Sequence, residues 1–104
     1  MTVRHIVMWN VLGQRGTAAH RDNMVRLKEA FEALQGEIPG LLKIEIGLDF
    51  SAVDYACDVV LFSEFDCVAS LRAYQHHPAH QVAKGKAGDI RTARFQVDYL
   101  YEPA

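Results

Sequence analysis

Apolar positions that recur at every second residue predict the strands of this chain. Residues 3–11 are rich in valine and isoleucine and carry apolar side chains on both faces of the predicted strand. In residues 42–50, apolar positions alternate with Lys, Glu, Gly and Asp, which is typical of a strand with one exposed face. Residues 55–65 (YACDVVLFSEF) are again apolar on both faces, and residues 94–101 alternate as a terminal strand. The pattern therefore predicts four strands.

A different period predicts the helices between these strands. Apolar positions in residues 18–35 follow a 3–4–3 spacing, which forms one stripe on a helix: Met24, Leu27, Phe31 and Leu34. Thr17 is the expected N-cap, and Gly36 marks the end of the helix. A second helix is expected over residues 67–76, and Pro78 is expected to begin a further short helix.

This order of elements, β-α-β-β-α-β with an extra helix, predicts an α+β fold of the ferredoxin-like type with a four-stranded antiparallel sheet. The first and third strands are apolar on both faces, and such a sheet needs cover on both sides. The helices of one chain supply cover for one side only. We therefore expect a homodimer in which two sheets pack face to face. The alternative is a protein that simply tolerates these apolar residues on its surface.

Composition and charge narrow the classes of function. A chain of 104 residues forms a single domain, residues 1–104, and its net charge of −2 with no basic run argues against nucleic acid as a partner. No segment has the pattern of a secretory signal or the length of a membrane span, so no membrane partner is expected. Cys57 and Cys67 form no CxxC motif, which suits a cytoplasmic location.

The stretch YQHHPAH, residues 74–80, is the strongest candidate for chemistry. Because a residue before proline avoids helical dihedrals, His77 breaks the helix and lets Tyr74 and His80 converge. His80 near a helix N-terminus is expected to be a neutral general base, with Tyr74 orienting a substrate oxygen. The alternative is a structural corner in which the two rings only pack. His77 and His80 lack a third ligand, so no metal is expected.

Three segments resemble the stress-responsive α/β barrel (Dabb) family over nearly the whole chain. These segments are the opening Val3-Arg-His-Ile-Val7, the stretch VVLFSEFDCVASLRAYQHHPAH, and the terminal Asp98-Tyr99. The tyrosine followed by HPAH is the most specific of them. The resemblance implies a dimer of ferredoxin-like subunits whose sheets join into a dimeric α/β barrel.

The resemblance also implies a site. In the family's plant polyketide cyclase, which performs an aldol closure without a cofactor, the catalytic pair is a tyrosine and the last histidine of HPAH. These residues match Tyr74 and His80, and a pocket histidine on the first strand matches His5. The same strand face continues through Val7 and Trp9 as an apolar wall of the pocket. Met24 and Leu27 of the first helix take positions that line the pocket in that enzyme. The expected substrate-binding residues are therefore His5, Val7, Trp9, Met24 and Leu27.

Three functions remain open from the sequence. The first is binding or transformation of a small carbonyl or phenolic compound by acid–base chemistry that needs no cofactor, as in a polyketide cyclase. The second is a stress-associated dimer with a structural or ligand-binding role and no catalysis. The third is a cofactor-free quinol-type monooxygenase, in which Trp9 and His80 would line the pocket. An enclosed cavity that reaches both Tyr74 and His80 favours chemistry or ligand binding, whereas a solid corner favours a structural role.

Overall fold

The computed structural model describes residues 1–102, which form a four-stranded antiparallel sheet and three helices. The strands lie in the order β2-β3-β1-β4, so the first strand in sequence is central and the last lies at an edge. This arrangement confirms the predicted ferredoxin-like plan. The elements are β1 Thr2–Val11, α1 Ala18–Glu32, β2 Leu41–Leu48, β3 Val59–Phe65, α2 Val68–Tyr74, α3 Pro78–Ala87 and β4 Arg91–Tyr101.

The core lies between the helices and one face of the sheet, here called the inner face. Along β1 every second residue from Val3 to Val11 is buried, as the period of a strand requires. Phe31 of α1 packs on Trp9 of β1 with ring centroids 5.1 Å apart. Complete burial of an aromatic side chain such as Phe31 contributes roughly 1.5–3 kcal/mol. The inner face therefore fixes how α1 sits on the sheet.

Two predicted helix starts are confirmed by their caps. The Thr17 side chain accepts a hydrogen bond from the backbone N–H of His20 at 3.3 Å. His77 is extended, with φ −69° and ψ 138°, and Pro78 is the first residue of α3. The ring Nδ1 of His77 accepts from the backbone N–H of Ala79 at 3.0 Å, which satisfies one of the free donors of the first turn. The helical run thus breaks at the proline.

The predicted ends of β2 and β3 were wrong. β2 stops at Leu48 and β3 begins only at Val59, so the segment 49–58 is a loop. An Asp49 carboxylate oxygen accepts from the backbone N–H of Ala52 at 2.9 Å, and this local turn competes with strand pairing. The loop leaves Phe50 98% exposed, although its apolar character suggested a strand position.

The opposite face of the sheet, here called the outer face, is apolar and uncovered in the single chain. In the β1–β4 register, Ile6 pairs with Val97 and Met8 pairs with Phe95. Phe95 and Val97 remain 54% and 52% exposed. The predicted two-faced character of β1 is thus present, with the outer face open. Within residues 1–102 no helix is both long and apolar enough to cross a membrane.

Candidate functional site

A cavity of about 390 Å³ opens between the inner face and the helices. Its volume falls in the range of about 300–1,000 Å³ that is typical of small-molecule sites. The sheet contributes His5, Val7, Trp9, Leu61 and residues 91–94, and the helices contribute Phe31, Tyr74, His80 and Lys84.

Tyr74 and His80 stand side by side in the wall of this cavity. Tyr74 is the last residue of α2 and His80 lies in the first turn of α3, so the corner at Pro78 separates them. Their ring centroids are 4.3 Å apart and the ring planes are tilted by 35°. A continuous helix would turn by about 600° over six residues and point the two rings to different faces. The helix break therefore brings the pair together.

Burial sets the protonation states of both rings. Burial raises the pKa of Tyr74 well above its usual value, and the charge of Arg94 offsets this only in part, so the phenol stays protonated. Burial also lowers the pKa of His80; the hydrogen bond to the Gln75 carbonyl opposes this in part, and the nearby charges of Lys84 and Arg91 add to the lowering. At neutral pH the site therefore contains a neutral imidazole next to a phenol donor.

One nitrogen of the His80 ring has a protein partner. His80 Nδ1 lies 3.4 Å from the backbone carbonyl oxygen of Gln75. A carbonyl only accepts, so in this contact Nδ1 carries the proton and donates. The neutral ring then has its lone pair on Nε2, the nitrogen that is free to accept a proton from a ligand.

His5 is a third polar group at the inner wall. Its Nδ1 lies 2.5 Å from a carboxylate oxygen of Asp98, which is its partner in the β1–β4 register. Its ring meets the Tyr74 ring edge-on, with centroids 6.2 Å apart. The Asp98 carboxylate fixes the orientation of the His5 ring, in the way that carboxylates orient many functional histidines.

The sequence comparisons identify the family of this fold. The family model described as the stress responsive A/B barrel domain, Dabb, matches residues 3–101. The chain belongs to the Dabb family. A curated relative, an uncharacterised protein from Streptomyces coelicolor, is 32% identical over 79 residues, which cover 76% of this chain and 79% of the relative.

Solved structures resemble this Dabb domain over nearly its full length. A dimeric protein of unknown function with a ferredoxin-like fold from Bacteroides fragilis has a TM-score of 0.83 and 31% identity, and 96% of each chain is covered. The hydroxynitrile lyase of Passiflora edulis has a TM-score of 0.77 and 16% identity, covering 99% of this chain and 95% of its own. At that identity the lyase shares the fold alone.

Of the residues expected around the pair, His5, Val7 and Trp9 line the cavity of the Dabb domain, whereas Met24 and Leu27 do not. Leu27 is fully buried in the core, and Met24 lies beside a separate depression next to His20. Phe31, one turn further along the same stripe of α1, lines the cavity instead. The structure therefore does not bring Met24 and Leu27 to the cavity that contains Tyr74 and His80.

The basic residues of the cavity were missed by sequence reasoning. Simple alternation puts Arg91 and Arg94 on opposite faces of β4, because they are three residues apart. The register shifts between Asn10 and Val11, so that Arg91 pairs with Val11 and Arg94 with Trp9. This bulge turns both arginines towards the cavity, as bulges next to functional sites commonly do. No local signal in the sequence marks it.

Asp58 and Glu64, two carboxylates that could in principle join histidines in a metal site, make other contacts. Asp58 accepts from Val11 at 2.9 Å and contacts His20 at 3.1 Å, and Glu64 pairs with Arg4 at 3.0 Å. In the described part of the chain no group of three or more His, Cys, Asp or Glu side chains could hold a metal ion.

Proposed function

We propose that this Dabb domain binds a small carbonyl or phenolic compound and moves a proton on it without a cofactor. His80 acts as the base and Tyr74 donates a hydrogen bond to the substrate oxygen. One observation carries the proposal: the rings of Tyr74 and His80, with centroids 4.3 Å apart, share the wall of a cavity large enough for such a compound. A corner packed solid would have favoured a structural role.

The two side chains supply complementary parts of one reaction. His80 Nε2 accepts a proton from the carbon next to a carbonyl group, or from a phenol, and becomes an imidazolium. The Tyr74 hydroxyl donates to the oxygen on which negative charge develops, and its raised pKa keeps it a donor. The resulting enolate either takes the proton back at another atom, which is isomerisation, or attacks a second carbonyl, which is aldol closure.

His5 serves as a second polar anchor in this scheme. Asp98 holds the His5 ring through Nδ1 and leaves Nε2 available to the ligand. Val7, Leu61 and Phe31 add apolar surface to the wall beside these polar groups. Substrates with an aromatic or alkyl body next to the carbonyl group suit this wall.

The working form is proposed to be a homodimer. The outer face exposes large apolar side chains on β1 and β4 that a second sheet would cover. The similar structures from Bacteroides fragilis and from Thermobifida fusca, the latter 25% identical, are described as dimeric, which supports the same assembly here. In such a dimer the two sheets back onto each other, and each cavity stays on the helix side of its own sheet.

Proton transfer is tested by deuterium exchange. Small carbonyl compounds with acidic C–H bonds, such as 1,3-diketones and aryl ketones, are incubated with the protein in D₂O and followed by proton NMR. We expect faster exchange of at least one compound with the wild type. Loss of a general base typically costs about 10²–10⁴-fold in rate, so His80→Ala should abolish the acceleration. Tyr74→Phe should slow exchange by about 10²-fold or more through loss of the oxyanion donor.

His76→Ala is the matched control, since His76 is an exposed histidine of the same segment and does not line the cavity. It should exchange at the wild-type rate. Equal loss in His76→Ala and His80→Ala, or no loss in either, contradicts the proposed role of His80. Binding of these compounds without any exchange would support the ligand-binding dimer instead.

A further inference from the structure

The cavity is rich in positive charge and has no negative charge of its own. Three of its lining residues are basic and none is acidic: Lys84, Arg91 and Arg94. Within residues 1–102, none of these three side chains forms an ion pair with a carboxylate. Arg4 and Arg15, by contrast, are paired with Glu64 and Asp58. The cations of the cavity are thus available to a ligand.

Arg91 is the cation that reaches furthest into the aromatic wall. It is half-buried, and its guanidinium carbon lies 5.7 Å from the centroid of the Trp9 ring and 5.9 Å from that of Phe31. Burial lowers the pKa of Arg91, and the like charge of Arg94 lowers it further. Burying a charge without a partner is costly, and a bound anion would offset that cost.

Other polar groups of the wall are donors as well. The Tyr74 phenol adds a further donor. A ligand with acceptor oxygens at one end and an aromatic or alkyl body against the apolar part of the wall matches this lining.

We propose that the ligand is a small carboxylate, namely a carbonyl or phenolic compound that also carries a carboxylic acid group. Arg91 and Arg94 bind the carboxylate, for which the planar guanidinium is a geometric match. The carbonyl or phenolic end then lies towards Tyr74 and His80, so the substrates are of the keto-acid or hydroxyaryl-acid type. This inference rests on the proposed function, since it names the substrate class of the same site.

Matched pairs of an acid and its amide test the charge preference directly. Affinities of acetoacetate and acetoacetamide, and of 2-hydroxybenzoate and 2-hydroxybenzamide, are measured by calorimetry. In at least one pair the acid should bind about tenfold more tightly than the amide, a difference of about 1.4 kcal/mol. Arg91→Gln should remove the preference, Arg91→Lys should retain part of it, and higher salt should weaken it.

Arg21→Gln is the control, because Arg21 is an exposed arginine of α1 that does not line the cavity. It should keep the wild-type preference. Inorganic phosphate separates a carboxylate site from a general anion site: competition by phosphate as strong as that by the acids overturns the assignment of a carboxylate. Equal affinities of acid and amide in both pairs, or an unchanged preference in Arg91→Gln, also overturn it.

The two proposals fail in different ways. If the acids bind with the expected preference but no compound exchanges its proton, proton transfer fails and the carboxylate site stands. If exchange depends on His80 while acids and amides bind equally, the carboxylate site fails and the acid–base role stands.

Discussion

At the scale of single residues, proline chemistry made the pair of Tyr74 and His80 predictable from the sequence. Pro78 forces a break at His77, and the break determines which side chains can meet. The position of Asp98 next to His5 was not predictable in this way, because it depends on the register of two strands that are distant in sequence. A contact between side chains that are close in sequence can be predicted from local rules. A contact that depends on the pairing of distant strands cannot.

The lowered pKa of His80 predicts the pH dependence of proton exchange. A base acts only when deprotonated, so the rate should rise with pH and reach half its maximum below about pH 6.5, the usual pKa of histidine. The raised pKa of Tyr74 predicts no loss of rate at alkaline pH up to about 10. Exchange rates measured between pH 4.5 and 9.5 check both the rise at acidic pH and the constant rate at alkaline pH. A half-maximal rate above pH 6.5 contradicts the neutral imidazole.

At the scale of elements, the N-cap residue Thr17 and the proline at position 78 correctly predicted where α1 and α3 begin. The bulges in the sheet and the loop between β2 and β3 were not predicted. The β2–β3 register shifts between Leu41 and Lys43, so Leu41 is buried and Leu42 is exposed. Simple alternation from Leu42 did not anticipate this shift. Bulges depend on the partner strand as much as on the bulged residues, and a single sequence contains little information about such pairing.

A turn before β2 supports α2, the helix that carries Tyr74. Gly40 has φ +80°, and a Cβ built there would lie 2.3 Å from the hydroxyl oxygen of Ser70 in α2. Gly36 has a similar φ of +82° but open space around it. Both alanine variants should lose about 1–2 kcal/mol of unfolding free energy for the left-handed backbone. Gly40→Ala should lose about 1–3 kcal/mol more from overpacking. Urea denaturation checks this difference, and equal losses would contradict the contact with Ser70.

At the scale of the whole molecule, the fold class and the family were predictable because the order of strands and helices leaves few topologies. The apolar outer face was visible too, since β1 and β3 are apolar on both sides. The volume of the cavity and its three cations were not predictable, although His5, Val7 and Trp9 were expected in its wall. The bulge in β4 puts Arg91 on the same face as Arg94, and Lys84 of α3 adds the third cation.

The exposed outer face predicts that the protein is a dimer at micromolar concentration. Light scattering should give twice the 11.7 kDa mass of the chain. Met8→Asp places a charge on the outer face and should dissociate or unfold the dimer, because burying an unpaired carboxylate is costly. Val82→Asp, on an exposed apolar residue of α3, is the control and should remain dimeric. A stable monomer of the wild type would contradict the face-to-face assembly.

The most direct test of the central claim compares the stability of His80→Ala with its activity. If His80 serves chemistry, the melting temperature of the unliganded variant should stay close to that of the wild type while proton exchange is lost. If His80 serves packing, loss of its ring and of its hydrogen bond to Gln75 should cost about 1 kcal/mol, or about 4–8 °C for a domain of this size. A drop of that size with exchange unaffected would contradict the proposed function.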